Sequence, residues 1–321
     1  MLYSQNQLKT EMNYLQLSIA ADRYSHILYH SPKKFHKLKA HEKDFFFTWI
    51  WIKRNENGDF LYDLYNIEEA KEFLFHKIIQ TYNESFFTFE GVFSNSMGLI
   101  SKDQVLRDKL FFNTNFQEWK LKLDEHKGPY LSVLKKELQE TLDEQKSIFG
   151  NQDKYQSQER NCYAIFFHIY YLARLVFSER NEKGLIFEVL GFPFVINIKT
   201  YCHIFSNHYF PVMNNLLNTS LNDEIPCIDL DHFLESIQNL VISYFNASPC
   251  LDTTKEYLLF NIDGEKYILW IKYKRCNELS HKEGFEIKTF YKCEKENDIN
   301  KYIGTKEIEF NNGCYCCIPN E

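Results

Sequence analysis

Hydrophobic and polar positions alternate with two different periods along this chain. From Glu11 to Tyr29 the apolar residues Tyr14, Leu15, Leu17, Ile19, Tyr24, Ile27 and Leu28 recur at helical spacing, and Ser31-Pro32 ends the pattern. The run Phe45-Phe46-Phe47-Thr48-Trp49-Ile50-Trp51-Ile52 is aromatic and β-branched; with Asn55 to Asp59 as turn and Phe60 to Tyr65 as partner, it predicts a hairpin. Helical spacing returns over Ile67 to Tyr82 with Asn66 placed to cap it, over Ser101 to His126, and over Tyr130 to Phe149. The polar stretch Gly150 to Arg160 reads as an exposed loop. Cys162 to Phe177 is apolar nearly all round and predicts a buried helix in which His168 is a core histidine.

A charged break from Ser178 to Gly184 separates these elements from a different pattern. Leu185 to Leu190 and Phe194 to Ile198 predict strands around Gly191-Phe192-Pro193, with the apolar run ending at Lys199-Thr200. His203 and His208 then follow in a polar bend, with Ser206 and Asn207 placed to cap a short helix near His208. Asp229 to Phe245 predicts an amphipathic helix. Tyr257 to Ile262, Asp263-Gly264 and Tyr267 to Tyr273 predict a hairpin, and Phe285 to Tyr291 a further strand. The expected fold is α+β. A helix-rich N-terminal domain with a hairpin, residues 1–183, precedes a small α+β domain with an antiparallel sheet, residues 184–321.

Composition narrows the function classes. The 37 basic and 44 acidic residues give a formal charge of −7, which argues against a surface that grips nucleic acid everywhere. No run approaches the roughly 20 apolar residues of a membrane helix, and the first residues lack a signal-peptide core, so a cytoplasmic protein without a membrane partner is expected. Nine cysteines in such a chain read as reduced thiols. Cys314-Tyr315-Cys316-Cys317 lacks the second ligand pair of a structural zinc site, so a terminal strand or tail is preferred to a zinc module, and no metal or cofactor is expected. Phosphate-loop, dinucleotide, serine-hydrolase and zinc-protease motifs are absent.

Side chains suited to phosphodiester chemistry gather after Gly184. Histidine moves protons near neutral pH, while lysine, threonine and tyrosine stabilise phosphate charge. Lys199, His203 and His208 lie at one junction, and Lys274 ends a strand. On the last predicted strand, alternation puts Thr289 and Tyr291 on one face and Lys288 with Phe290 on the other. From Lys266 to Lys295 eight basic and four acidic residues make a local +4.

The sequence His-Ile-x₃-His-Tyr after a strand, then a helix, the hairpin YLLFNIDGEKYILWIKYK and a strand ending Lys-Thr-Phe-Tyr, resembles phage and polymorphic-toxin nucleases of the barnase, EndoU, colicin and RelE superfamily. The likeness runs from about Gly184 to Tyr302. It implies a metal-independent endoribonuclease of toxin or phage-defence type, with RNA as substrate and an antitoxin or immunity protein as a further partner. His203 and His208 would be the acid–base pair, Thr289 and Tyr291 would orient the phosphate, and Lys199, Lys274 and Lys288 would bind substrate. Related sequences carry arginine where this chain has Asn207, which leaves a second reading open: a non-catalytic interaction protein on a nuclease-like fold.

Overall fold

A computed structural model describes residues 2–4, 7–57, 64–82, 102–125, 128–149, 152–177, 184–206 and 233–320. The chain divides into two compact units, Met1–Glu179 and Arg180–Glu321. The fold class is α+β, with helices in the first unit and a mainly antiparallel sheet in the second. Among the described residues, no helix is long and apolar enough to cross a membrane.

The first unit contains helices α1 (Tyr14–His30), α2 (Pro32–His36), α3 (Ala40–Asn57), α4 (Lys71–Thr81), α5 (Lys102–Asp124), α6 (Pro129–Phe149) and α7 (Gln152–Phe177). Asn13 starts α1 through a reciprocal cap: the Gln16 N–H donates to Asn13 Oδ1 at 3.0 Å and the Asn13 N–H to Gln16 Oε1 at 2.9 Å. Helix α3 replaces the hairpin expected from Phe45 onward. Its buried residues Phe46, Phe47, Ile50 and Trp51 form two pairs four positions apart, which is a helical face. An unbroken apolar run carries no period of its own, and tertiary burial overrode its β propensity. Of the expected partner strand, residues 60–63 lie outside the described residues, and Leu64 and Tyr65 belong to the 3₁₀ turn Leu64–Asn66.

The loop expected over Gly150 to Arg160 is also overturned, because α7 already begins at Gln152. Its polar residues pair with α5 rather than with water alone: Lys120 meets Glu159 at 3.0 Å and the Arg160 guanidinium donates to Asn113 at 2.5 Å. The core is aromatic, with Phe35 against Phe46 and Phe47, Phe47 against Phe73, and Phe75 between Phe112 and Phe167. Fully buried Glu42 accepts from the Leu2 N–H (2.6 Å), the Lys39 N–H (3.1 Å) and the Tyr24 hydroxyl (3.0 Å). Burial pushes this carboxyl upward, and those hydrogen bonds outweigh it and hold it below the ordinary value.

The second unit holds a seven-stranded sheet. Its strands are β1 (Leu185–Val189), β2 (Phe192–Ile196), β3 (Tyr257–Ile262), β4 (Glu265–Arg275), β5 (Glu283–Lys292), β6 (Thr305–Asn311) and β7 (Cys314–Pro319), in the order β1-β2-β5-β4-β3-β7-β6. All described pairs are antiparallel except β2 with β5. Gly284 permits that parallel contact, since a Cβ there would lie 2.7 Å from the Pro193 carbonyl. The cysteine-rich end is a strand whose neighbours diverge, and Cys314 is disulfide-bonded, which corrects the expectation of reduced thiols at that position. Cys316 registers with Phe260, whereas Cys317 packs with Leu259 and Ile268 on the other face.

Helix α8 (Ile198–Ile204) follows β2 directly, so Lys199 and Thr200 are helical rather than the end of a strand. Asn197 turns the chain by accepting the Thr200 N–H at 3.0 Å. Helix α9 (Phe233–Ala247) covers one sheet face, with Phe245 against Phe194 and Tyr244 against Phe260. The opposite face is partly covered by α10 (Glu296–Ile299) and the following turn, whose Tyr302 hydroxyl reaches the Phe260 carbonyl at 3.1 Å.

His168 is the core histidine expected of it. It stacks on His76 at 4.7 Å, Tyr171 covers the other side of His76 at 4.2 Å, and the Tyr171 hydroxyl donates to Asp44 at 2.9 Å. His76 is buried and neither of its ring nitrogens has a hydrogen-bond partner among the described residues. Burial, reinforced by Lys77, pushes His168 down to about 4; burial, His168 and Lys77 push His76 well below 6.5. The unfolded state therefore binds more protons than the folded state between about pH 6.5 and 4, and stability falls as pH drops through that window. The expected loss is about 3 kcal/mol from His168 alone. Thermal unfolding at pH 7 and pH 5 tests this: His76→Phe/His168→Phe should lose markedly less stability on acidification than the parent, and equal losses would contradict it.

Candidate nucleic-acid interface

The functional side chains collect on the sheet face opposite α9. Strand β5 would keep simple alternation if its pairing with β4 were regular, but the register shifts: Trp270 faces Thr289 and Ile271 faces Ile287. Lys288 is the extra residue, a β-bulge. Phe285, Ile287 and Phe290 are all fully buried despite the change of parity. The bulge also corrects the expected separation of Lys288 from Thr289 and Tyr291, because all three line one cavity.

That cavity measures about 590 Å³ and is lined by Lys255, Trp270, Lys272, Lys288, Thr289 and Tyr291 among others. The Tyr291 hydroxyl donates to Asp298 at 3.1 Å and accepts from the Trp270 indole N–H at 3.1 Å. Burial and Asp298 raise its pKa, so it stays protonated. Thr289 Oγ1 is buried and has no hydrogen-bond partner among the described residues. An unused buried hydroxyl is costly unless a ligand supplies the missing contact.

Glu286, only 4% exposed, organises the cations. It accepts from Lys288, from Lys274 at 2.6 Å and from the Asn197 side-chain amide at 2.9 Å. Burial opposes its ionisation, and the hydrogen bonds from Lys274, Lys288 and Asn197 outweigh that penalty and hold its pKa below the ordinary value. The same Asn197 amide also donates to Glu278 at 3.0 Å, so in this cluster two lysines stand against two carboxylates. Lys272 and Lys255 have no ion-pair partner among the described residues. Lys292, by contrast, is matched by Glu265 at 3.0 Å.

The expected site residues are thus brought together in part. Lys288, Thr289 and Tyr291 share the cavity, and Lys274 joins them through Glu286. Lys199 is exposed on α8 and His203 half-buried one turn later, on the same side of that helix, but neither lines the cavity. Asn197 is the link between the two groups, capping α8 through its oxygen and bonding Glu286 through its nitrogen. His208 and Asn207 lie outside the described residues. Lys255, Trp270, Lys272, Glu286 and Asn197 carry no spacing motif. The only signal was the local excess of basic residues from Lys266 to Lys295, a stretch that includes Trp270, Lys272 and Glu286 but neither Asn197 nor Lys255.

Among the described residues no group of three or more histidine, cysteine, aspartate or glutamate side chains is arranged to hold a metal ion. No protein family matches the chain, and no curated protein or solved structure matches it.

Two substitutions separate ligand-directed from structural polar groups. Thr289→Val removes a hydroxyl with no partner among the described residues, so stability in urea should be unchanged or higher by up to about 1 kcal/mol. Glu286→Gln should lower it by about 1–2 kcal/mol, discounted for the partly exposed lysines. The carboxylate's contribution is present above its unfolded pKa and disappears as pH falls through the lower folded value. A large loss in Thr289→Val would contradict the assignment of that hydroxyl.

Proposed function

We propose that this protein acts on RNA, with the β4–β5 cavity as its phosphate-binding site, and that it cleaves RNA without a metal as a toxin or phage-defence effector. The observation that carries the reading is the Thr289 hydroxyl, without a hydrogen-bond partner among the described residues, in a cavity that Lys272, Lys288 and Trp270 also line. Hydroxyl and ammonium donors suit phosphate oxygens, and an aromatic ring suits an unpaired base. In the proposed reaction the 2′-oxygen attacks phosphorus, its proton passes to a base, and the P–O5′ bond breaks. The departing 5′-oxygen takes a proton from an acid, leaving a 2′,3′-cyclic phosphate. His203 and His208 are the acid–base candidates, and the lysines stabilise the extra phosphate charge. Such an enzyme acts in the cytoplasm, where an antitoxin or immunity protein would restrain it.

A second reading is binding without cleavage. It is favoured by His203 standing off the cavity wall and by a Tyr291 hydroxyl already engaged with Asp298 and Trp270.

Incubation of the full chain with total RNA in EDTA tests both. The first reading predicts discrete fragments with cyclic-phosphate ends, reduced about 100-fold or more in His203→Ala/His208→Ala. Cleavage that survives in the folded double variant would remove the histidines from the mechanism. Binding of RNA without cleavage would favour the second reading.

A further inference from the structure

His26 and His30 lie one turn apart at the end of α1, both exposed, with ring centres 4.4 Å apart and planes tilted by 41°. Positions i and i+4 of a helix share a face, so the spacing in the sequence brings the two rings together. Neither imidazole makes a hydrogen bond or an ion pair among the described residues, and each has the other ring as its contact. By contrast, His76 and His168 are buried, and the His41 ring is tied to the Tyr3 carbonyl at 3.0 Å.

Two neutral imidazoles on one helix face can chelate a borderline-soft divalent ion. Zinc binds imidazole nitrogen at about 2.0–2.1 Å, so two such bonds at a tetrahedral angle need nitrogens about 3.3 Å apart. Rings centred 4.4 Å apart reach that separation by rotation about their own side-chain bonds. The surroundings suit a cation. His30 is the last residue of α1, where the helix carries its negative end. Asp22, one turn before His26, is exposed on the same face. Arg23 is turned aside, its guanidinium donating to the Tyr3 hydroxyl at 2.6 Å and lying over the Tyr3 ring. Lys33 and Lys34, which follow on α2, are exposed, and solvent ions weaken their repulsion.

We propose that His26 and His30 form a two-ligand site for a late first-row divalent cation such as zinc or nickel. Two protein nitrogens leave the remaining coordination positions to water or to a ligand from outside, so the ion is exchangeable and the site is open rather than structural. Magnesium and calcium take oxygen ligands and are selected against by the same chemistry. The site belongs to the first unit and does not depend on the reading of the β4–β5 cavity.

Isothermal titration of the full chain with zinc, nickel and magnesium chlorides tests it. The expected result is saturable binding of zinc and of nickel at this site, and none of magnesium. His26→Ala and His30→Ala should each weaken zinc binding by about 100-fold, because a chelate becomes a single ligand. His36→Ala and Cys250→Ser remove exposed groups elsewhere and should leave that affinity unchanged. Circular dichroism confirms that each variant is folded. Zinc binding that survives at full affinity in His26→Ala/His30→Ala would overturn the assignment, as would a loss in only one of the two single variants or the absence of zinc and nickel binding to the parent.

Discussion

The bulge at Lys288 is the constraint on which the second unit's site depends. A strand alternates its side chains, so a continuous ladder from Phe285 to Tyr291 would have to expose either Phe285 and Ile287 or Tyr291 and Thr289 to the wrong surroundings. The extra residue resets the parity: Phe285, Ile287 and Phe290 all reach the aromatic core, and Lys288, Thr289 and Tyr291 all line the cavity. Burial of large aromatic side chains outweighs the break in ladder hydrogen bonding at one residue.

Glu286 converts that geometry into an electrostatic arrangement. An isolated carboxylate at 4% exposure would be pushed to its neutral form. Lys274, Lys288 and the Asn197 amide keep it charged, and in doing so hold two flexible lysines in place. Because Asn197 also caps α8, the start of that helix and the cavity lysines answer to one buried group. Trp270, Tyr291 and Asp298 form a second chain of hydrogen bonds at the other end of the cavity. Between the two, the Thr289 hydroxyl is left without a partner among the described residues.

The first unit solves a different problem with similar means. Its core mixes aromatic rings with aliphatic side chains, and it holds several buried polar groups. Glu42 gathers four donors, from Leu2, Tyr3, Tyr24 and Lys39, and Asp108 receives Tyr82 at 2.6 Å and Gln104 at 3.1 Å. These fix the packing of the helices they join. His76 instead stacks between His168 and Tyr171 with no hydrogen bond to either ring nitrogen among the described residues. Ring stacking holds it in place, and it is tolerated while neutral.

The sequence by itself determined most of the elements. Helices with one apolar stripe were legible at Tyr14–His30, Lys71–Thr81, Lys102–Asp124 and Pro129–Phe149, as was the Asp263-Gly264 hairpin, because their periods and turn residues are local properties. Thr289 and Tyr291 on a common face were legible for the same reason. Where the period vanished, only tertiary burial chose. The aromatic run at Phe45 to Ile52 became a helix because two pairs four apart could reach the core, and the polar run after Gln152 became helix because α5 offered partners. The parallel pairing of β2 with β5, the bulge that recruits Lys288, and the gathering of Lys255, Trp270, Lys288 and Tyr291 around one cavity were decided only in three dimensions. Such approaches depend on which strands become neighbours, and no local spacing encodes it.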